Sequence, residues 1–220
     1  LGCPKKVTAD SGIDALTHAI ETYLATRFDH LEAKPDELVP FQGKTPLADL
    51  LAERAIELIG RNLRTATAEP SNRAAREAMS LAATLAGLAF SNGAVAAVHA
   101  LEYPLGALYH CSHGAGNGLM LPHVMRHNLP KRQAELARIA TLLGVNTEGM
   151  SVADAAEAAI AAVESLRNDI GVPRTLRELG AKREDIPGIA QKAFEIKRLM
   201  GTTPVAPTVE SLIKVLEAAW

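Results

Sequence analysis

Two stretches of this chain carry side chains able to bind a divalent cation. In Asp14-Ala-Leu-Thr-His18 a carboxylate precedes an imidazole by four residues, so on a helix both project from one face. From Ser91 to Asn128 the chain reads SNGAVAAVHALEYPLGALYHCSHGAGNGLMLPHVMRHN and holds five of the seven histidines. Within it His99 and His113 stand fourteen residues apart across a turn-forming segment. The central expectation is that Asp14, His18, His99 and His113 converge on one metal ion. Three imidazoles and one carboxylate form a borderline donor set suited to Fe(II), Zn(II), Ni(II) or Mn(II), and an open coordination position makes such a centre catalytic.

Each residue also has a plainer reading. An Asp four before a His is an ordinary helix-surface pair. His99 lies among Val95, Ala96, Ala97, Val98, Ala100 and Leu101. A neutral imidazole buried there needs a partner, which a backbone carbonyl or a metal supplies. His113 precedes Gly114-Ala115-Gly116-Asn117-Gly118, whose small residues allow close backbone approach. His110, His123 and His127 are read as solvated or outer residues, and Cys111, two before His113, as a non-ligand. The glycines weakly suggest a phosphate cradle, but no strand precedes them.

The elements that must position these groups read as helices. Ser11-Gly12 opens a pattern in which Ile13, Leu16, Ile20 and Leu24 recur at helical spacing, fading near Arg27. Residues 28–46, with Pro35, Pro40, Gly43 and Pro46, read as a loop or insertion containing His30. Helices are predicted over 47–63 and, capped by Asn72, over 73–90. After a break at 91–93, residues 94–101 resume as helix, which Pro104 and Gly106 end or bend. Ser112 caps a helix starting at His113, and after Pro130 come helices over 131–143, 151–170, 187–200 and 208–219. Short pieces are predicted over 175–179 and 183–186. With no alternating strand and no repeat, the fold class is all-α, a multi-helix bundle.

Composition narrows the function classes. Hydrophobic residues make up 48% but aromatics only 4%, and the net charge is −2, so no nucleic-acid or membrane-surface footprint exists. The apolar runs are too short to span a bilayer, which points to a soluble protein. Two cysteines are too few for a disulfide scaffold, and no signal peptide is visible, so a cytoplasmic location is expected. The chain starts at Leu1 rather than Met, just upstream of the first motif, as a fragment lacking an N-terminal part, or a processed product, would.

SGIDALTHAIETY resembles the first metal-binding segment of the iron-containing (group III) alcohol dehydrogenases. NGAVAAVHALEYPLGALYHCSHGAGNGLMLPHVMRHN is similar to their second, and EAMSLAATLAGLAFSN to the helix between. The likeness covers about residues 8–28 and 47–145. It implies metal ligands at Asp14, His18, His99 and His113, with Fe(II) or another divalent ion such as Zn(II). It also implies the helical C-terminal domain of the dehydroquinate synthase-like fold, here one domain over residues 1–220. The family's N-terminal domain, which binds NAD or NADP through a glycine loop, has no counterpart in this chain. The expected partners are that domain and a small alcohol or aldehyde substrate, in a homo-oligomer without nucleic acid or membrane. The implied activity is NAD(P)-dependent alcohol dehydrogenation, weak or lost in the isolated 220 residues. A transhydrogenase between hydroxyacids and oxoacids, a glycerol dehydrogenase-like enzyme or a non-catalytic metal-holding domain are the alternatives. Two departures stand out: Tyr103 occupies a position, four after His99, where many members carry a histidine implicated in proton transfer, and segment 28–46 is longer than the family's turn. Tyr103 is accordingly the candidate catalytic residue.

Overall fold

The computed structural model describes residues 2–31 and 41–220. Nine α-helices are present among them: α1 (Lys5–Leu24), α2 (Pro46–Ala68), α3 (Arg73–Ser91), α4 (Ala97–Tyr109), α5 (His113–Leu142), α6 (Val152–Asp169), α7 (Ile186–Glu195), α8 (Lys197–Met200) and α9 (Val209–Ala218). No strand accompanies them among the described residues, and only an isolated bridge joins Arg27 to Lys44. The all-α expectation is therefore met. None of these helices is long and apolar enough to cross a membrane.

α1 is the axis, packed against α2, α3 and α5, while α4 lies across α5 and α6 closes its far side. Ile13, Leu16 and Ile20 of α1, Ile56, Ile59 and Leu63 of α2, and Leu101 and Leu105 of α4 are fully buried. Each such side chain stabilises the fold by roughly 1.5–3 kcal/mol. A nearly aliphatic core of this kind holds helices close enough for side chains from three of them to meet.

Four boundaries differ from the sequence reading. α1 begins at Lys5, six residues before Ser11, because extended Pro4 ends the lead-in and the chain coils at once. Gly12 is interior, and its missing side chain makes room for Leu63, whose Cδ1 would stand 2.2 Å from an added Cβ. α4 starts at Ala97, not 94, and continues through Pro104 to Tyr109. Its left-handed C-cap is His110, at φ 50°. α5 remains helical past Pro130 and bends at Arg132 (φ −134°, ψ 28°). There the Arg132 guanidinium donates to the carbonyls of Leu24 (2.8 Å) and Ala25 (3.0 Å), satisfying the end of α1. The predicted 187–200 helix is two, α7 and α8, broken at Ile196.

The caps at Thr45, Asn72, Ser151 and Thr208 accept backbone N–H bonds as their residue types predict. His30 sits in a short 3-10 turn, Phe28–His30, and residues 32–40 of the predicted loop lie outside the described residues.

His123 departs from a solvated reading, for it is largely withdrawn from solvent. Its Nε2 is buried without a protein partner. Burial first, then the charges of Arg167 and Arg126, lower its pKa to about 4. Because the folded value lies below the ordinary 6.5, protonation favours the unfolded chain. The contribution is whole above pH 6.5 and lost as the pH falls towards 4, about 3 kcal/mol in all. Urea unfolding of His123→Gln should therefore lose less stability than the parent between pH 7 and pH 4.5. An identical pH slope in both proteins would refute this.

Candidate metal centre

Asp14 and His18 come from one face of α1, His99 from the first turn of α4, and His113 from the first residue of α5. The fold brings three of them, Asp14, His18 and His99, into one cluster and sets His113 beside it. Asp14, His18 and His99 offer ligand atoms that lie within 4.8 Å of one another. Nε2 of His99 is 3.1 Å from Nε2 of His18 and 3.9 Å from Asp14 Oδ1. His113 joins from the rim, its Nε2 3.7 Å from Asp14 Oδ1 and its ring centroid 5.3 Å from that of His99. Donors bound at about 2.0–2.1 Å to one tetrahedral ion stand about 3.4 Å apart. The spacings among Asp14, His18 and His99 scatter around that value, so these three fit a single borderline divalent ion in chemistry and reach, with His113 the rim candidate for a fourth donor.

Burial is graded across the cluster. His99 is 2% exposed, whereas the His113 side chain is 45% exposed and marks the open side. His18 stacks on Phe90, centroids 4.5 Å apart. Burial first, then the neighbouring His99, lowers the His18 pKa to about 4, so it is a neutral donor at pH 7. The pKa of His113 moves up, chiefly because Glu102 accepts its Nδ1–H. Tyr103 stands beside the open side, its ring stacked over His113 at 6.2 Å and edge-on to His99 at 6.5 Å.

Three residues that sequence reasoning missed support these candidate ligands. Glu21, buried on α1, accepts from His99 Nδ1 (2.6 Å) and from the backbone N–H groups of Ala96 (3.0 Å) and Val98 (2.6 Å). One carboxylate thus orients an imidazole and caps the start of α4. Supplied by another helix, that cap left no local signal, which is why the helix was placed three residues too early. Glu102, 3% exposed, accepts from His113 Nδ1 at 2.5 Å. Asn117, one turn after His113, directs its amide nitrogen at Asp14 Oδ1 (2.7 Å) and His113 Nε2 (3.1 Å).

Carboxylate acceptors at Nδ1 fix the tautomer in which the Nε2 lone pair faces the cluster. The signal that could have found these residues is helical spacing: Glu21 and Glu102 each follow a ligand by three positions and Asn117 by four. Neither glutamate serves the histidine it follows, however; each holds the next one along the chain. Glu21→Gln removes charge and turns an N–H donor towards donors. Metal affinity is expected to fall about 10–100-fold, with a stability loss of about 1–3 kcal/mol, read by cobalt titration and urea unfolding. Unchanged affinity would show that Glu21 serves only as a cap.

The remaining histidines stay outside. His110 is exposed on the α4 cap, and His127 Nε2 faces the Val205 carbonyl at 3.2 Å. Cys111 is half-buried and its thiol pKa is raised, mainly by that burial.

Comparison with known proteins places residues 37–220 under the family model described as "Fe-containing alcohol dehydrogenase family, C-terminal". The chain is 44% identical over 195 residues to 1,3-propanediol dehydrogenase of Citrobacter freundii, covering 89% of this chain and 46% of that protein. It is 38% identical to NAD-dependent methanol dehydrogenase of Bacillus methanolicus, covering 98% of this chain and 52% of that one. A crystal structure of 1,3-propanediol oxidoreductase superposes with a TM-score of 0.90 at 40% identity, over all of this chain and 53% of its own. The chain thus spans about half the length of the relatives it matches.

Proposed function

This chain belongs to the Fe-containing alcohol dehydrogenase family, and from that premise we propose that it is the metal-holding part of an NAD(P)-dependent enzyme interconverting a small alcohol and its aldehyde or ketone. The observation carrying the proposal is the meeting of Asp14, His18, His99 and His113 from three helices, with two buried carboxylates behind two of the imidazoles. Fe(II) is the ion proposed. When bound, it supplies Lewis acidity that favours loss of the alcohol proton and polarises the carbonyl in reverse.

The chain's own residues do the rest. Asp14 contributes a negative charge that offsets part of the cation's. Buried His99, pinned by Glu21, forms the floor. His113 at the rim leaves the side facing solvent for the substrate oxygen. The nicotinamide that exchanges hydride is held mainly by a nucleotide-binding domain beyond these residues, consistent with the NAD dependence named for the Bacillus methanolicus relative.

Tyr103, 38% exposed beside His113, lines that open side and offers a hydroxyl for proton transfer. A phenol is a weaker acid–base group at neutral pH than an imidazole. Tyr103→Phe should keep its metal and lower turnover about 100-fold, the low end of general acid–base catalysis. A fall in metal content with unchanged turnover per bound ion would refute that role.

The test of the whole reading uses full-length protein purified without oxygen. About one divalent metal per chain is expected, together with reduction of short aldehydes by NADH or NADPH that chelators abolish. Metal-replete protein that reduces none of them would leave a non-catalytic metal-holding domain as the surviving account.

A further inference from the structure

We propose that Asn117 is a positioning residue of the metal centre, its amide tying Asp14 of α1 to His113 of α5 and so setting how tightly the ion is held. The inference rests on the metal-centre reading above and extends it to a residue that donates no ligand atom.

Asn117 is fully buried. Its amide nitrogen carries two hydrogens, and two acceptors stand within reach of it: Asp14 Oδ1 at 2.7 Å and His113 Nε2 at 3.1 Å. Both are atoms that face the cluster. The orientation of the amide follows from chemistry, since its oxygen in the same place would set two acceptors against each other. Meanwhile Asn117 Oδ1 is buried with no protein partner. Enclosing such an acceptor unpaired costs about 1–3 kcal/mol, so an apolar residue of the same size would serve packing better. What an asparagine offers here, and leucine does not, is the pair of donors.

The two ties differ in kind. His113 Nε2 has a single lone pair, for which an amide hydrogen and a cation compete. A carboxylate oxygen has two lone pairs, so the tie to Asp14 persists while the other yields. Asp14 also has less holding it than the histidines do: His99 and His113 each have a carboxylate at Nδ1, whereas the nearest approach of the Asp14 carboxylate to His18 is 3.7 Å. Asn117 does for the carboxylate ligand what Glu21 and Glu102 do for two imidazoles. Loss of an orienting partner outweighs the gain from freeing one 3.1 Å contact, and the sign of the effect follows.

Cobalt(II) titration of the metal-free full-length protein tests this, with affinity and the visible spectrum as readouts beside thermal unfolding of the metal-free form. Asn117→Leu should weaken cobalt binding about 10–100-fold and alter the spectrum, while the metal-free protein unfolds at the same temperature or higher. Asn117→Ser, too short to reach both acceptors, should weaken binding in the same range and is decisive if the leucine variant fails to fold. Parental affinity and spectrum in the folded variants overturn the role of Asn117 alone. Failure of the parent to bind cobalt overturns the metal-centre reading and this inference with it.

Discussion

His99→Ala is expected to lose stoichiometric metal and, with it, all but a trace of dehydrogenase turnover. His99 is the most buried of the four candidate ligands, and its Nε2 lies 3.1 Å from His18 Nε2 and 3.9 Å from Asp14 Oδ1. Removing an outer partner of a ligand costs about 10–100-fold in affinity, so removing this central donor should cost more than about 100-fold. The fold should survive, because Glu21 keeps its two backbone donors at Ala96 and Val98 and α4 remains capped. Elemental analysis and cobalt titration measure the loss, and circular dichroism verifies the fold. His110→Ala is the control: that imidazole is exposed on the α4 cap, and its removal should leave metal content unchanged. Retention of a full metal equivalent by His99→Ala would remove the physical basis of the proposed function.

The second large effect belongs to a residue with no side chain. A Cβ on Gly114 would stand 2.0 Å from the Asp10 carbonyl oxygen and 2.5 Å from its carbon, both backbone atoms of α1. No rotamer relieves that contact, so α1 and α5 must part. Overpacking of this kind costs about 1–3 kcal/mol, and we expect Gly114→Ala at the upper end. In a chain of this size each kcal/mol lowers the Tm by about 2–4 °C, giving a fall of roughly 6–12 °C. Because α1 carries Asp14 and His18 while α5 carries His113, metal affinity should drop in the same variant. Gly118→Ala is expected to be milder, since its Cβ would meet only side-chain atoms, those of Ile13 at 2.8 Å and Val172 beyond them. Gly87→Ala, which meets nothing within 4 Å, should be neutral or stabilising by up to about 1 kcal/mol. Equal unfolding temperatures for the Gly114 and Gly87 variants would mean that the α1–α5 contact does not govern the site.

Local chemistry explains why so much of the helical layout was legible. Asn72 announces the helix it caps because the acceptor lies within three residues of the donor, whereas Ser112 stands at the α5 cap position without a side-chain cap bond. Ser11-Gly12 misled for the complementary reason. It has the composition of a helix start, yet Gly12 is small to admit Leu63 from a helix about fifty residues away. Pro104, read as ending or bending its helix, lies inside α4, which runs on to Tyr109, whereas the break expected after Pro130 is present as the kink at Arg132. The α5 bend falls at Arg132, where that side chain caps the end of α1.

By itself the sequence determined which residues could bind a cation, the helical spacing that sets Asp14 and His18 side by side, and an Ala- and Leu-rich composition that favours packed helices. Those are properties of residue type and of the 3.6-residue turn, and they need no distant partner. Tertiary structure alone decided that Glu21 reaches across to His99, that Glu102 holds His113, and that Asn117 spans α1 and α5. Such pairings depend on where one helix crosses another, a relation between surfaces rather than between neighbours in the chain.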